Sequence, residues 1–162
     1  MGTGKSSVGQ LVAGHLRFSF FDTDHDIEAR AGKRITEICA RDGEAAFRQW
    51  EERVVEELAS RNKTVIATGG GLPTNEKNLV SLKTHSLVVC LWASPEKIWE
   101  RVRGQSHRPL LNDPDPPAKI RRLLETREPF YRQADVLVNT DIRSVREVAI
   151  QIVHQYKIAL SD

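Results

Sequence analysis

The N-terminal residues of the chain combine the residue types and the spacing that bind phosphate groups. The glycine-rich turn and the helix start after it consist of Gly2, Thr3, Gly4, Lys5, Ser6 and Ser7. In such a turn, successive backbone N–H groups converge on phosphate oxygens, and the helix dipole adds a favourable potential for the anion. The Lys5 ammonium would reach the β- and γ-phosphates of ATP, and the Ser6 hydroxyl would bind Mg²⁺. The chemistry that this pattern predicts is phosphoryl transfer.

This phosphate-binding motif is incomplete, because the full pattern has a further glycine and a buried strand before it, whereas the sequence begins at Met1. A flexible glycine-rich N-terminus with an incidental Lys-Ser pair is therefore an alternative. The strand before such a motif lies in the middle of the sheet, so its absence would leave two unpaired inner edges and an apolar slot. We expect the natural protein to start about ten residues earlier, the length of one strand and the missing turn.

Two carboxylates follow a strand predicted at residues 18–21. Asp22 and Asp24 stand two positions apart, so on extended backbone their side chains point the same way and can share one site. That site would lie at the carboxyl end of the strand, where open α/β sheets bind ligands. One carboxylate would hold Mg²⁺, and the other would accept the proton of a substrate hydroxyl. The alternative is a helix N-cap, which needs no chemistry.

A run of glycines and an arginine–glutamate pair could bind a second substrate. The run consists of Gly69, Gly70 and Gly71. It follows a strand predicted at 64–67 and allows a ligand to approach the backbone closely. On a helix predicted at 44–61, Arg48 follows Phe47, and Glu51 lies on nearly the same face as Arg48. Arg48 could bind a carboxylate while Glu51 orients it; the alternative is a surface ion pair.

Two further arginines occur close to prolines. Arg108 begins Arg-Pro-Leu-Leu in the proline-rich segment 104–117, which is long enough to form a lid. From there Arg108 could swing onto the transferring phosphoryl group. Arg127 begins Arg-Glu-Pro-Phe-Tyr at a predicted helix end, where the alternative is a solvated cation that favours the helix C-terminus.

The elements that must position these residues alternate between helix and strand, which predicts an α/β fold with a largely parallel sheet. Strands are predicted at residues 18–21, 64–67, 87–91 and 136–139. Helices are predicted at about 5–16, at 25–41 in two pieces broken near Gly32, at 44–61, 74–84 and 95–103, and from about 118 and 144. The clearest is the amphipathic helix 44–61, whose apolar residues at helical spacing are Phe47, Trp50, Val54, Val55 and Leu58.

Length and composition limit the remaining possibilities. The 162 residues fit one domain. The 24 Lys and Arg residues nearly balance the 22 Asp and Glu residues, which does not indicate a nucleic-acid or membrane-surface partner. No apolar stretch approaches the roughly 20 residues that span a bilayer, and the sequence does not begin with a signal-peptide pattern. These features predict a cytosolic protein.

In their order along the chain, these motifs closely resemble the shikimate kinase family. The order is the phosphate loop, Asp-Thr-Asp, Gly-Glu-x-x-Phe-Arg-x-x-Glu, Gly-Gly-Gly, Arg-Pro-Leu-Leu and Arg-x-Pro-x-Tyr, and the resemblance covers nearly the whole chain. It implies a three-layer P-loop kinase fold, with a central parallel sheet of normally five strands, substrate-binding helices at about 25–61 and a mobile lid at about 104–117. The implied reaction is phosphorylation of the 3-hydroxyl of shikimate, with ATP and Mg²⁺.

The resemblance also implies roles for individual residues. Residues 2–7 would hold the phosphates of ATP, and Arg108 would contact the γ-phosphate. Arg103 would stack on the adenine, and Arg143 would lie beside it. Mg²⁺ would bind Ser6 near Asp22. The residues that would contact shikimate are Asp24, Phe47, Arg48, Glu51, Gly69, Gly70, Gly71 and Arg127. Of these, the two arginines would bind the carboxylate and Asp24 the ring hydroxyls. The catalytic residues would be Lys5, Asp24 and Arg108.

Two alternatives stay open. The first is a kinase of the same fold for another hydroxy acid such as gluconate, although the Asp-Thr-Asp and triple-glycine motifs favour shikimate. The second is a non-catalytic paralogue that binds partners. The truncated start favours that reading, whereas the retention of Lys5, Asp24, Arg48, Arg108 and Arg127 argues against it. We expect a monomer.

Overall fold

Helices and strands alternate along the chain, as the sequence predicts. The computed structural model describes residues 2–104 and 113–161. The strands are β1 (Ser19–Asp22), β2 (Thr64–Ala67), β3 (Val89–Trp92) and β4 (Val136–Asn139). The helices are α1 (Lys5–Leu16), α2 (Thr23–Ala31), α3 (Ile35–Arg41), α4 (Glu44–Leu58), α5 (Glu76–His85), α6 (Pro95–Val102), α7 (Pro116–Tyr131) and α8 (Val145–Ala159), with a 3₁₀ helix at Leu72–Thr74.

The strands form two parallel pairs, β1 with β2 and β3 with β4. In the first pair Ser19 lies opposite Thr64, and Asp22 lies opposite Ala67 at the carboxyl ends. Helices α2 to α4 form the crossover that a parallel pair requires. This register brings the segment after β1 and the glycine run after β2 to the same edge of the sheet, where ligands of open α/β sheets bind.

An apolar slot lies beside two of the strands. Within residues 2–104 and 113–161, β2 and β3 are not paired with each other, and a mostly apolar cavity of about 440 Å³ is lined by both strands. Its lining includes Val65, Ala67, Val89 and Leu91 from the strands, with Val12 from α1 and Ile152 from α8. The cavity therefore lies between the two strand pairs.

Helix α4 confirms the prediction from apolar spacing and forms one side of the core. Phe47, Val54, Val55 and Leu58 are buried, and Trp50 packs against the same cluster. The cluster also contains buried side chains from α2 and α3, the helices that the sequence predicts as two pieces. The break between them occurs at Gly32, with φ of 62°, a value that glycine adopts without strain.

Some boundaries differ from the predicted ones. Helix α7 begins at Pro116, inside the segment 104–117 that the sequence assigns to a lid. The reason is that proline suits the first turn of a helix, and the Asp115 side chain caps this turn by accepting a hydrogen bond from the N–H of Ala118. Strand β3 begins at Val89 rather than at residue 87. Residues 105–112, which include Arg108, lie outside the described residues.

No helix within residues 2–104 and 113–161 is both long enough and apolar enough to cross a membrane.

Candidate active site

A cavity of about 1200 Å³ brings most of the sequence-predicted site residues together. The predicted residues that line it are Gly2, Thr3, Gly4, Lys5, Ser6, Ser7, Asp22, Asp24, Phe47, Arg48, Glu51, Gly69, Gly70, Gly71, Arg127 and Arg143. They come from the start of α1 and the loop before it, the end of β1 and the start of α2, the glycine run after β2, helices α4 and α7, and the segment between β4 and α8. Arg103 follows the end of α6, is exposed and does not line this cavity.

The phosphate loop takes its shape from two glycines. Gly2 and Gly4 have φ values of 66° and 85°, in the left-handed region where other side chains are strained. A Cβ atom on Gly2 would also lie 2.9 Å from Cγ1 of Val102. Gly4 is the N-cap of α1, so the first N–H groups of this helix have no partners within the helix. The loop is therefore built to bind an anion at the helix N-terminus.

The donor atoms beside this loop fit a magnesium ion. The Ser6 hydroxyl donates a hydrogen bond to Oδ2 of Asp22 over 2.7 Å. Hydroxyl and carboxylate oxygens are hard ligands, and Mg²⁺ usually combines one or two of them with waters and substrate phosphates. No group of three His, Cys, Asp or Glu side chains in the described segments could hold a metal ion by itself. Ser6 and Asp22 are therefore the two side chains that would hold the ion.

Asp22 and Asp24 have different surroundings. Oδ1 of Asp22 accepts hydrogen bonds from the backbone N–H groups of Asp24 (3.1 Å) and His25 (3.3 Å), so Asp22 is the N-cap of α2. Oδ1 of Asp24 is buried and has no hydrogen-bond partner among the described residues. Burial raises the pKa of Asp24, the charge of Asp22 acts in the same direction, and Lys5 opposes them. A buried carboxylate oxygen without a hydrogen-bond partner, on a residue that lines a cavity, marks a candidate functional group.

Arg48 is held between two glutamates of its own helix. Its Nη1 donates to Oε2 of Glu51 over 2.6 Å, and its Nη2 donates to Oε1 of Glu44 over 2.8 Å. The Glu51 side chain is 2% exposed, whereas that of Glu44 is 72% exposed. Burial raises the pKa of Glu51, and its hydrogen bond with Arg48 lowers it in part. A ligand carboxylate could therefore displace Glu44 while the buried Glu51 keeps the guanidinium oriented.

The glycine run packs directly against these acidic and basic groups. A Cβ atom on Gly69 would lie 2.6 Å from Oδ1 of Asp24, and a Cβ atom on Gly71 would lie 2.5 Å from Nη1 of Arg48. Any larger residue would therefore move Asp24 or Arg48. The glycines place a carboxylate, a guanidinium and the backbone around one part of the cavity, which suits a ligand that carries both hydroxyl and carboxylate groups.

Arg101 lines the other end of the cavity, although it is not among the predicted residues. Its guanidinium donates to the Gly2 carbonyl (3.3 Å), to Oγ1 of Thr140 (2.9 Å) and to the Thr140 carbonyl. Helical spacing could have found it. On α6, position 101 lies beside the face of the buried Ile98 and Val102, whereas position 103 points away from that face. Arg143, which was predicted, lies at the same end.

A family model and several known proteins match nearly the whole chain. A family model described as shikimate kinase matches residues 1–157. The shikimate kinase of Thiobacillus denitrificans is 47% identical over 146 residues, which cover 90% of this chain and 80% of that protein. The shikimate kinase of Thermodesulfovibrio yellowstonii is 41% identical over 157 residues, which cover 97% of this chain and 91% of that protein.

Solved structures give the same result. The structure of shikimate kinase from Acinetobacter baumannii in complex with shikimate matches with a TM-score of 0.93 and 38% identity, over 98% of this chain and 89% of that one. Shikimate kinase from Bacteroides thetaiotaomicron matches with a TM-score of 0.90 and 30% identity, over 97% of this chain and 94% of that one. These likenesses are close in both sequence and fold.

Proposed function

The chain belongs to the shikimate kinase family, and we propose that it transfers the γ-phosphoryl group of ATP to the 3-hydroxyl of shikimate. The products are shikimate 3-phosphate and ADP. The observation that carries the proposal is that one cavity is lined by a glycine-rich helix start, by Asp24, whose buried Oδ1 has no hydrogen-bond partner among the described residues, and by Arg48. Phosphoryl transfer asks a protein mainly for positioning and charge neutralisation, and this arrangement supplies both.

The two substrates would occupy opposite ends of the cavity. The ATP phosphates would lie on the loop before α1, with Lys5 at the β- and γ-phosphates and the adenine toward Arg101 and Arg143. Shikimate would lie over the triple-glycine loop, with its carboxylate on Arg48 and Arg127. A second carboxylate group, that of Glu51, already holds Arg48 from the buried side. Arg127 also acts on Glu51 and lines the same cavity, and two arginines beside one buried glutamate support a substrate that is itself an anion.

The hydroxyl that attacks the phosphorus would be oriented by Asp24. As the new bond forms between the hydroxyl oxygen and the γ-phosphorus, the bond from that phosphorus to the β–γ bridging oxygen breaks, and the hydroxyl proton passes to Asp24. The raised pKa of Asp24 makes its carboxylate a stronger base than an exposed aspartate. Magnesium, held by Ser6 near Asp22, would neutralise charge on the phosphates when it is bound.

We propose that Arg108 meets the γ-phosphate from a lid, a role that falls outside the described residues. We also propose a cytosolic monomer of one domain that has no nucleic-acid or membrane partner. The near-balance of 24 basic against 22 acidic residues supports the last point.

The reaction itself can be tested by following ADP release, coupled to NADH oxidation, with ATP, Mg²⁺ and shikimate. We expect shikimate-dependent ADP release, and a 3-phosphate product in phosphorus NMR. A parallel reaction with gluconate should show only the background ATPase rate. Turnover with gluconate and none with shikimate would show that the substrate is another hydroxy acid. A folded protein that binds ATP and releases no ADP with either acid would favour a non-catalytic paralogue.

Replacing Gly71 by alanine is expected to disturb the carboxylate site and leave the fold intact. Gly71 has φ of −89°, which alanine adopts freely, but the added Cβ would lie 2.5 Å from Nη1 of Arg48. Because the end of an arginine side chain can move, the added Cβ should displace the Arg48 guanidinium and weaken its hydrogen bond with the substrate carboxylate. We expect the KM for shikimate to rise about tenfold, which is the effect of weakening one charged hydrogen bond. The KM for ATP should change less than twofold.

The matched control is Gly14→Ala in α1, where an added Cβ would meet nothing within 4 Å. This control should keep wild-type kinetics and raise the thermal unfolding midpoint slightly, because alanine favours helix over glycine. An unchanged KM for shikimate in Gly71→Ala would show that Arg48 does not need its observed position to bind substrate.

A further inference from the structure

Two hydroxyl groups hold the triple-glycine loop from opposite sides. The backbone N–H of Gly69 donates to Oγ1 of Thr23 over 3.1 Å. The hydroxyl of Tyr131 donates to the carbonyl oxygen of Gly70 over 2.6 Å. Thr23 is the first residue of α2, and Tyr131 is the last residue of α7. The loop is therefore tied to two helices that lie far apart in the sequence.

Thr23 connects the loop to the carboxylate pair. It is fully buried, with 0% exposure, and it stands between Asp22, which caps α2, and Asp24. A buried hydroxyl needs a hydrogen-bond partner, and the N–H of Gly69 supplies one. Because the Cα atom of Gly69 packs against Asp24, the Thr23–Gly69 hydrogen bond determines how much space the Asp24 carboxylate has.

Tyr131 determines the orientation of one peptide group in the loop. Burial raises the pKa of Tyr131, and the charge of Arg127 lowers it in part, so the phenol stays protonated and can donate. In a trans peptide the C=O and N–H point in opposite directions. The Gly70 carbonyl points to Tyr131, so the N–H of Gly71 points away from it. Among the described residues, neither the N–H of Gly70 nor that of Gly71 has a partner.

We propose that Thr23 and Tyr131 are positioning residues, which hold the triple-glycine loop so that its free N–H groups and the Asp24 carboxylate face shikimate together. The identity of the ligand rests on the proposed function. The two hydrogen bonds can be tested without any ligand, so a failure of one proposal can be separated from a failure of the other.

The first measurement is amide exchange of the protein labelled with [¹⁵N]glycine, which contains only 10 glycines. In Thr23→Val, which removes the hydroxyl and keeps the shape, we expect the Gly69 amide to exchange at least tenfold faster. Thr23→Ser should restore slow exchange. In Tyr131→Phe, the amide signal of Gly71 should shift, because its nitrogen belongs to the same peptide group as the Gly70 carbonyl.

The second measurement is steady-state kinetics with both substrates. Thr23→Val and Tyr131→Phe should each raise the KM for shikimate about 5- to 20-fold, the range for one lost buried hydrogen bond, and leave the KM for ATP unchanged. In the double variant, the KM for shikimate should rise by less than the product of the two single rises, because both residues act through one loop. The matched control is Tyr156→Phe. Tyr156 is the other tyrosine of the chain, and it packs edge-on against Phe18 away from the active-site cavity.

The outcomes separate the two proposals. Unchanged Gly69 exchange in Thr23→Val, or an unchanged KM for shikimate in both variants, would overturn the positioning role. Equal rises in both KM values would also overturn it, since they would indicate general loosening of the fold. Faster Gly69 exchange in Thr23→Val and a shifted Gly71 signal in Tyr131→Phe, in a protein whose wild type does not use shikimate, would support the two hydrogen bonds, contradict the proposed function and overturn the role toward shikimate.

Discussion

Replacing Arg48 by alanine is expected to weaken shikimate binding about 10²- to 10³-fold, the effect of removing one partner of a buried charged contact, and to leave ATP affinity unchanged. Arg48 lies over the triple-glycine loop and is the only side chain that donates to the buried Oε2 of Glu51 among the described residues. The variant would lose the cation for the substrate carboxylate. It would also leave the Glu51 charge facing the place where that carboxylate should bind. Calorimetric titration with each substrate measures both affinities.

Three companion variants separate recognition from stability. Arg53→Ala, on the same helix, removes an arginine that lies over Trp50 instead of in the cavity, and both affinities should stay at wild-type values. Arg48→Lys keeps the charge but loses the bidentate fork. Its affinity for shikimate should therefore lie between that of the wild type and that of Arg48→Ala. Adding Glu51→Gln to Arg48→Ala should recover stability, because it removes the unpaired buried charge, but it should not recover shikimate binding. Equal loss of both affinities in Arg48→Ala would contradict the assignment.

Replacing Asp24 by asparagine is expected to lower kcat about 10²- to 10⁴-fold, the usual contribution of a positioned general base. Asparagine keeps the size of the side chain and loses the ability to accept the hydroxyl proton. Oδ1 of Asp24 has no partner in the described part of the chain, so the substitution breaks no hydrogen bond seen in the structure. Shikimate binding should change much less than kcat, because the carboxylate of the substrate would still meet Arg48 and Arg127.

The same substitution should raise stability near neutral pH. Burial raises the pKa of Asp24 in the folded protein above its usual 3.8, so the folded state binds this proton more tightly than the unfolded state. Stability from this group is present below the unfolded pKa and is lost as pH rises through the folded pKa. Asparagine does not titrate, so the Asp24→Asn variant does not lose this stability as the pH rises. Its thermal unfolding midpoint should exceed that of the wild type at pH 7, and the difference should shrink as pH falls toward 4.

The pH dependence of the reaction gives an independent check. In the wild type, kcat/KM should fall as pH drops through the raised pKa of Asp24, and this acidic limb should be absent from Asp24→Asn. Asp42→Asn is the matched control, because Asp42 is an exposed carboxylate that pairs with Lys33 outside the cavity. A kcat for Asp24→Asn within threefold of wild type would remove Asp24 from the chemistry and leave it a binding role.

The fold could be predicted from local patterns because those patterns matched the tertiary contacts. The apolar spacing of α4 coincides with the face that packs against α2 and α3, and the glycine between those helices marks the break. Boundaries were less predictable. The proline-rich composition of residues 104–117 suggested loop throughout, but two consecutive prolines at the start of α7 are compatible with its first turn. Composition alone does not distinguish a proline in a loop from a proline that begins a helix.

The site was predictable where each residue type has a specific chemistry, and it was less predictable where contacts between distant segments decide. Glycines, arginines and carboxylates beside strand ends pointed to the cavity directly. Thr23 and Tyr131 did not stand out, because a threonine at a helix start and a tyrosine at a helix end are ordinary. Their importance lies in hydrogen bonds to residues 46 and 61 positions away. Arg101 does not stand out in the sequence either, because its role depends on hydrogen bonds to Gly2 and Thr140, which are 99 and 39 positions away.

The shape of the phosphate loop depends on helix α6 as well as on the glycines of the loop. The Gly2 carbonyl accepts a hydrogen bond from Arg101, and a Cβ atom on Gly2 would lie only 2.9 Å from Cγ1 of Val102. A larger side chain at position 102 would therefore displace the loop, because a closely packed interior transmits strain. The volume of one core residue in α6 thus limits the conformation of the segment that leads into α1.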